Sequence, residues 1–194
     1  MSHPRLSQLS IDEVNEAVRG LYQSQEEHVG FISPVLKMLA RRPEYVDLYR
    51  AALRAMEAEG STVTATERYL IMARLAMANH SPYAAQQVRT WNATTGAMPA
   101  EKLEAALRTS DGNPVFTERE RLVLELGDRI ASGVLDDAFW AGLHEEFSDA
   151  ELLDLLVIAS VEGMFATFTR AVGLTSLDMP DFQEPETPWG HPAA

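Results

Sequence analysis

The sequence has no cysteine among its 194 residues. Disulfides, thiolate nucleophiles, cysteine-ligated zinc and iron–sulfur clusters are therefore excluded from its chemistry. Basic residues are few: 16 lysines and arginines stand against 29 acidic residues, for a formal net charge of −13. Because this charge repels phosphate backbones and anionic lipids, we expect neither nucleic acid nor a membrane as a partner.

Long hydrophobic runs and glycine-rich loops are also missing. No uninterrupted apolar run approaches the roughly 18 residues of a membrane span, and the first residues lack the apolar core of a signal peptide. We therefore expect a cytoplasmic protein. Neither a His-x-x-x-His nor a Glu-x-x-His pair occurs, and no glycine-rich loop follows a strand pattern, so we expect no metal and no cofactor.

What the sequence does contain is helix punctuation. Apolar residues make up 46% and charged residues 23%, which is ordinary for a globular domain. Apolar positions recur at helical spacing, and no segment alternates as a strand does. The sequence predicts an all-α multi-helix bundle. Four helix starts are marked by capping boxes, in which a hydroxyl residue is followed three positions later by glutamate; the boxes begin at Ser10, Thr64, Thr117 and Ser148.

We expect one helical domain over residues 1–173, with accessory helices at about 10–60 ahead of the main bundle. The first capping box predicts a helix that starts at Ile11 and ends near residues 23–26. Residues 174–194 contain four prolines and are predicted to lie extended. Phe182 and Trp189 in this tail are expected to pack on the protein or on a neighbouring subunit.

The pattern Thr-x-x-Glu-Arg occurs twice, at 64–68 and at 117–121. Recurring capping boxes in any helical protein explain it, and a duplicated helical hairpin is the alternative.

Three stretches carry a resemblance to a known family: residues 64–71, the run Ala-Asn-His-Ser-Pro-Tyr-Ala-Ala-Gln-Gln-Val-Arg at 78–89, and the end of the long apolar helix at 167–173. They resemble the carboxymuconolactone decarboxylase and alkylhydroperoxidase D-like superfamily, over roughly residues 44–173. The resemblance implies a helical bundle of the alkylhydroperoxidase D-like type that assembles as a homo-oligomer, a trimer or hexamer.

The chain departs from this family at its chemical motif. In the peroxidase branch, Cys-x-x-Cys-x-x-x-His would fall on Ser81, Ala84 and Val88. Serine forms no disulfide, and alanine and valine have no acid–base function, so a thiol peroxidase is excluded. In the decarboxylase branch a glutamate and a histidine near Ala84 and Val88 serve the substrate, and these are missing too.

Three residues remain as candidates for proton transfer. Glu162 interrupts a helix that is apolar before and after it, where a carboxyl must be paired or protonated; a raised pKa would suit a general acid or base, and a buried salt bridge to an arginine is the competing interpretation. His80 precedes a helix start and is a candidate base or merely a turn residue. Tyr83, two residues after Ser81, is a candidate because its phenol could face a ligand together with Gln87.

Four further residues are candidates for substrate binding. Gln87 and Trp91 follow Tyr83 at four and eight residues, so the three form one helical stripe that either faces a ligand or packs. Ser81 opens the same helix. Glu67, one helix earlier, is a candidate as well, although its place in the capping box of Thr64 explains it without a ligand.

These residues support two functional hypotheses. The first is a cofactor-free, cysteine-independent enzyme, of lyase, decarboxylase or isomerase type, that performs acid–base chemistry on a small organic carbonyl or carboxylate compound. The second is a non-catalytic oligomer that binds a small molecule. A third interpretation, related to peroxidases by family name only, has no chemistry in this chain.

Overall fold

A computed structural model describes residues 4–56, 60–108 and 113–179. Within these ranges the chain forms nine α-helices and two short 3₁₀ turns, with no strand, which confirms the all-α prediction. The helices are α1 (Glu16–Val29), α2 (Pro34–Leu39), α3 (Pro43–Met56), α4 (Ala65–Ala78), α5 (Pro82–Thr95), α6 (Ala100–Arg108), α7 (Glu118–Ser132), α8 (Asp137–Glu146) and α9 (Asp149–Val172).

The predicted capping boxes start three of the long helices. The boxes at Thr64, Thr117 and Ser148 open α4, α7 and α9. The box at Ser10 forms too, but the prediction drawn from it is wrong: it opens only a 3₁₀ turn, and α1 begins later, because the side chain of Asn15 caps it. The end of α1 is also later than predicted, at Val29, where Gly30 takes the left-handed conformation that ends the helix.

Helices α4, α7 and α9 start together at one end of the bundle. Arg119, in the first turn of α7, pairs with Glu67 of α4 at 2.6 Å and with Glu151 of α9 at 2.5 Å. Further along, α7 approaches α4 so closely that a Cβ built on Gly127 would lie 2.9 Å from the Cβ of Arg74. Glycine is therefore required at that contact. The three helices run parallel.

Helix α5 runs antiparallel to these three. Only residues 79–81 separate α4 from α5, so the chain reverses in a tight hairpin. At this far end of the bundle, Asn79 lies beside Thr167 of α9, with their side-chain oxygens 3.5 Å apart. The start of α5 therefore meets the end of α9.

The core consists of two apolar clusters. The larger one is formed by α4 to α9, and the smaller one by α1, α2 and α3 together with Tyr83 of α5 and Phe165 and Val172 of α9. The expected accessory helices thus have a core of their own. Leu174 and Met179, in the described part of the tail, are buried in the same cluster, whereas Phe182 and Trp189 lie outside the described residues.

Helix α9 is 24 residues long with a mean hydropathy of 1.6, so by length and composition it is apolar enough to cross a membrane. A core helix of a globular protein passes the same test, and one face of α9 is buried against α3, α4 and α5. Its other face carries exposed apolar side chains, including Leu153 and Met164.

Candidate functional site

The predicted site begins at Ser81, which caps α5. Its Oγ accepts a hydrogen bond from the backbone N–H of Ala84 at 3.2 Å and shares a second, 2.8 Å long, with the Oγ1 of Thr169 on α9. Ser81 is 2% exposed. Its hydroxyl therefore holds α5 against α9, and these contacts explain the serine without a ligand.

Tyr83 lies inside the smaller core cluster, fully buried. Its hydroxyl meets the Oγ of Ser33 at 3.4 Å, and burial, together with the nearby Tyr49, raises its pKa well above the usual value. The phenol thus stays protonated and ties α5 to the start of α2. Trp91, by contrast, packs against the larger cluster. The residues of the predicted stripe therefore belong to different clusters and do not all face one site.

His80 is exposed and has a positive φ of 52°. Histidine tolerates this left-handed conformation better than most residues do, and the conformation makes the tight turn between α4 and α5. Its backbone N–H donates to the carbonyl of Met77. The structure thus accounts for His80 as a turn residue and places it in solvent.

Glu162 is 2% exposed, between the two core clusters: Ile158 and Ala159 precede it on the larger cluster, and Phe165 follows on the smaller. Its Oε1 is buried with no hydrogen-bond partner among the described residues. Loss of hydration raises the pKa of this carboxyl to about 8. Burial and the raised pKa both agree with the sequence prediction.

The competing salt bridge to Glu162 does not form within the described ranges. Arg74 pairs with Asp128 at 2.6 Å, Arg170 is exposed, and Arg68 donates to the carbonyl of Met56.

Glu67 is buried and fully engaged. Its Oε2 accepts from the backbone N–H and the Oγ1 of Thr64, and its Oε1 pairs with Arg119. The structural explanation of Glu67 is therefore sufficient.

Of the four predicted binding residues, Trp91 lines a cavity in the described part of the structure. Gln87, one turn before it, is buried and is not among the residues that line this cavity. This cavity, of about 310 Å³, lies between α3, α4 and α5. Sequence analysis missed two of its residues, Arg68 and Tyr69, because their helix pattern indicates only burial. The cavity is lined by Leu53, Met56, Arg68, Tyr69, Met72 and Trp91, with Ala65, Thr95 and Ala97 at its edges.

Glu162 is not among the residues that line this cavity. Glu162 and Trp91 nevertheless lie at similar heights along the bundle axis. Val88 and Glu162 each lie seven residues from the Ser81–Thr169 contact, on antiparallel helices, so both are about 10 Å from it along the bundle. Trp91 is only three residues, or about 5 Å, beyond Val88.

The described residues contain no group of three histidine, aspartate or glutamate side chains placed to hold a metal ion. The chemistry available near α5 is thus one buried carboxyl, Glu162, and one cavity that contains an arginine and two aromatic rings.

The arrangement of helices defines the class of protein: the chain has the fold of the alkylhydroperoxidase AhpD core. A solved structure of an uncharacterized peroxidase-related protein from Ralstonia eutropha JMP134 superposes with a TM-score of 0.78 at 19% identity, covering 89% of this chain and 93% of that one. A similar protein from Silicibacter sp. TM1040 gives 0.76 at 18% identity, covering 90% and 92%.

A third structure of this fold is the debrominase Bmp8, in a variant crystallised with 2,3,4-tribromopyrrole. It has a TM-score of 0.76 and 15% identity, and the match covers 89% of this chain and 95% of that one. No protein-family model and no curated protein matches the sequence. At these identities the likeness establishes the fold, which confirms the AhpD-like bundle expected from the sequence.

Proposed function

We propose that this protein performs cofactor-free acid–base chemistry on a small organic carbonyl or carboxylate compound, with Glu162 as the proton-transfer residue. One observation carries the proposal: a carboxyl group buried among apolar side chains, with an oxygen that has no partner in the described part of the chain and a pKa raised to about 8. A carboxyl that titrates near neutrality can both donate and accept a proton. An ordinary core position has no need of one.

The placement of Glu162 supports this role. Along the bundle axis it lies at the level of Val88, about one helical turn from the level of Trp91. Among structures of the same fold, a debrominase holds a small ring compound, so the scaffold can accommodate a ligand of this size. The proton-transfer roles of His80 and Tyr83 and the binding role of Ser81 stay predictions, because each of these residues also has a structural role that explains it.

The test is turnover of a panel of 2-oxo acids, β-keto acids and unsaturated lactones, followed by proton NMR in D₂O. This measurement detects both bond cleavage and hydrogen exchange next to a carbonyl. We expect Glu162→Gln to lower the rate by about a hundredfold to ten-thousandfold. Glu104→Gln removes a half-exposed carboxylate paired with Arg89 and serves as the control with an unchanged rate. Full activity in Glu162→Gln would contradict the proposal.

The second candidate function is non-catalytic binding of a small molecule, and the cavity beside Trp91 is the observation that favours it. It predicts saturable binding without turnover of any compound in the panel. The cytoplasmic location stays a prediction.

We also propose that the chain assembles as a homo-oligomer, a trimer or hexamer. An open apolar groove of about 240 Å³ runs between α3 and α9, with Leu48, Tyr49, Met164 and Phe168 in its wall. Leu48 of α3 is 56% exposed, and Leu153 of α9 is 61% exposed. An exposed apolar groove of this kind is typical of a protein–protein contact.

We expect sedimentation at micromolar concentration to give an oligomer whose contacts each bury well over ~1,000 Å². Leu48→Glu places a charge in the groove and should shift the protein towards monomer. Leu177→Glu is the matched control, because Leu177 is 86% exposed and lies outside the groove. A monomeric parent protein, or equal effects of the two variants, would contradict the proposal.

A further inference from the structure

The cavity between α3, α4 and α5 has an unusual composition. Apolar side chains, among them Leu53 and Met72, form most of its wall, and the rings of Tyr69 and Trp91 lie in it as well. Among the described lining residues, Arg68 is the single charged side chain. The cavity volume of about 310 Å³ is at the lower end of the range for small-molecule pockets, so a ligand the size of one or two rings would fit.

The guanidinium of Arg68 has no carboxylate partner among the residues that the structure describes. Its Nη1 donates to the carbonyl of Met56 at 3.3 Å, while its Nε is buried and has no hydrogen-bond partner among the described residues. No described carboxylate lies within ion-pair distance of it. By contrast, four other half-buried arginines each pair with a carboxylate, at distances from 2.5 to 2.9 Å; they are Arg74, Arg89, Arg119 and Arg129.

The carboxylate of Asp154 is close enough to Arg68 for an electrostatic interaction, but it already accepts hydrogen bonds from other groups. Its Oδ2 accepts hydrogen bonds from the backbone N–H of Thr62 and from the hydroxyls of Thr62 and Ser61. The backbone bond from Thr62 is the main reason that the pKa of Asp154 is lowered, and Arg68 contributes least. The guanidinium of Arg68 thus has no ion-pair partner among the described residues.

We propose that this cavity binds a small aromatic carboxylate, whose carboxylate group accepts hydrogen bonds from Arg68 while its ring lies against Tyr69 and Trp91. A guanidinium can offer two parallel N–H groups to a carboxylate, which makes the pair directional as well as strong. Apolar walls favour a ring and disfavour a heavily hydrated inorganic anion. This binding site does not depend on proton transfer by Glu162.

The test uses three acids, benzoate, cinnamate and indole-3-carboxylate, each paired with its neutral amide. Calorimetry measures binding, and the indole N–H signal of Trp91 in a ¹⁵N-labelled sample reports the place. We expect at least one acid to saturate the protein at millimolar concentration or below, to shift the Trp91 signal, and to bind at least about tenfold more tightly than its amide.

Arg68→Gln should weaken binding of that acid by about tenfold to a hundredfold and leave the amide unchanged. Arg121→Gln is the matched control: Arg121 follows the second capping box as Arg68 follows the first, and it too donates to a backbone carbonyl, that of Phe116. It should bind the acid as the parent protein does. If Arg68→Gln fails to fold, the acid–amide comparison and the Trp91 signal in the unmodified protein decide.

Three results would overturn the proposal. The first is that no acid saturates or none shifts the Trp91 signal. The second is equal affinity for acid and amide, or for the parent protein and a folded Arg68→Gln variant. The third is inorganic phosphate binding as tightly as the acids, which would make the site a general anion site.

Discussion

Replacing Glu162 with glutamine is expected to make the protein more stable above neutral pH, by about 4 to 5 kcal/mol at pH values above about 8. Burial raises the pKa of this carboxyl from 4.5 in the unfolded chain to about 8 in the folded protein. Between these two pH values the folded state keeps a proton that the unfolded state has lost. The stability of the parent protein therefore falls as pH rises, by about 1.4 kcal/mol per unit from this group.

Because the pKa of Glu162 is higher in the folded protein, protonation of this carboxyl favours the folded state. The contribution of protonated Glu162 is fully present below pH 4.5 and is lost as pH rises through about 8. Glutamine has the shape of the protonated acid but does not titrate. Urea unfolding of parent and Glu162→Gln across this range should give curves that diverge steadily towards high pH.

Glu151, another glutamate of α9, supplies a control of opposite sign. Hydrogen bonds from Ser148, together with Arg119, lower its pKa to about 2. Glu151→Gln should therefore lower stability above pH 4.5, and the loss should fade as pH falls towards 2. If the parent and Glu162→Gln curves ran parallel instead, the carboxyl would be ionised at neutral pH and its proton-transfer role would lose its support.

A carboxyl that lowers stability at working pH indicates selection for something other than folding. Buried and unpaired acids of this kind concentrate at functional sites, where the cost in stability is retained for the chemistry. In this chain Glu162 is a buried acid whose Oε1 has no described partner, while Glu67, equally buried, is fully compensated by Arg119 and Thr64.

The fold was largely predictable because its signals are local. A hydroxyl with a glutamate three residues on satisfies backbone N–H groups within one turn, so Thr64, Thr117 and Ser148 mark helix starts wherever they fold. Ser10 shows the limit. Its box forms as predicted, but the side chain of Asn15 accepts a hydrogen bond from the backbone N–H of Val18, and α1 begins after Asn15 instead.

The site was less predictable because it depends on contacts between helices. Burial of Glu162 followed from the apolar residues around it in sequence, and the structure agrees. The separation of Tyr83 from Trp91 did not follow, because it requires knowing that the smaller cluster covers the start of α5. Likewise, only the meeting of helices in space shows that Arg68 has no described carboxylate within ion-pair distance, while Arg119 pairs with two.

Arg119→Ala is expected to destabilise the protein by about 3 to 5 kcal/mol, the second large effect. Its guanidinium pairs with Glu67 and Glu151, donates to the carbonyl of Glu146 and lies 3.9 Å from the ring of Phe147. Most of the loss comes from Glu67, which is 3% exposed and would be left as a buried charge without a cation. Urea unfolding at neutral pH measures the change.

Arg129→Ala is the matched control for this prediction. Arg129 also joins two carboxylates, those of Glu125 and Asp136, and lies 4.3 Å from the ring of Phe139, but both of its acidic partners are largely in solvent. Its loss should cost no more than about 1 kcal/mol. Adding Glu67→Gln to Arg119→Ala should restore part of the lost stability, because the double change removes the stranded charge. If the double variant were less stable than Arg119→Ala alone, the carboxylate would not be the source of the loss, and Arg119 would act through packing.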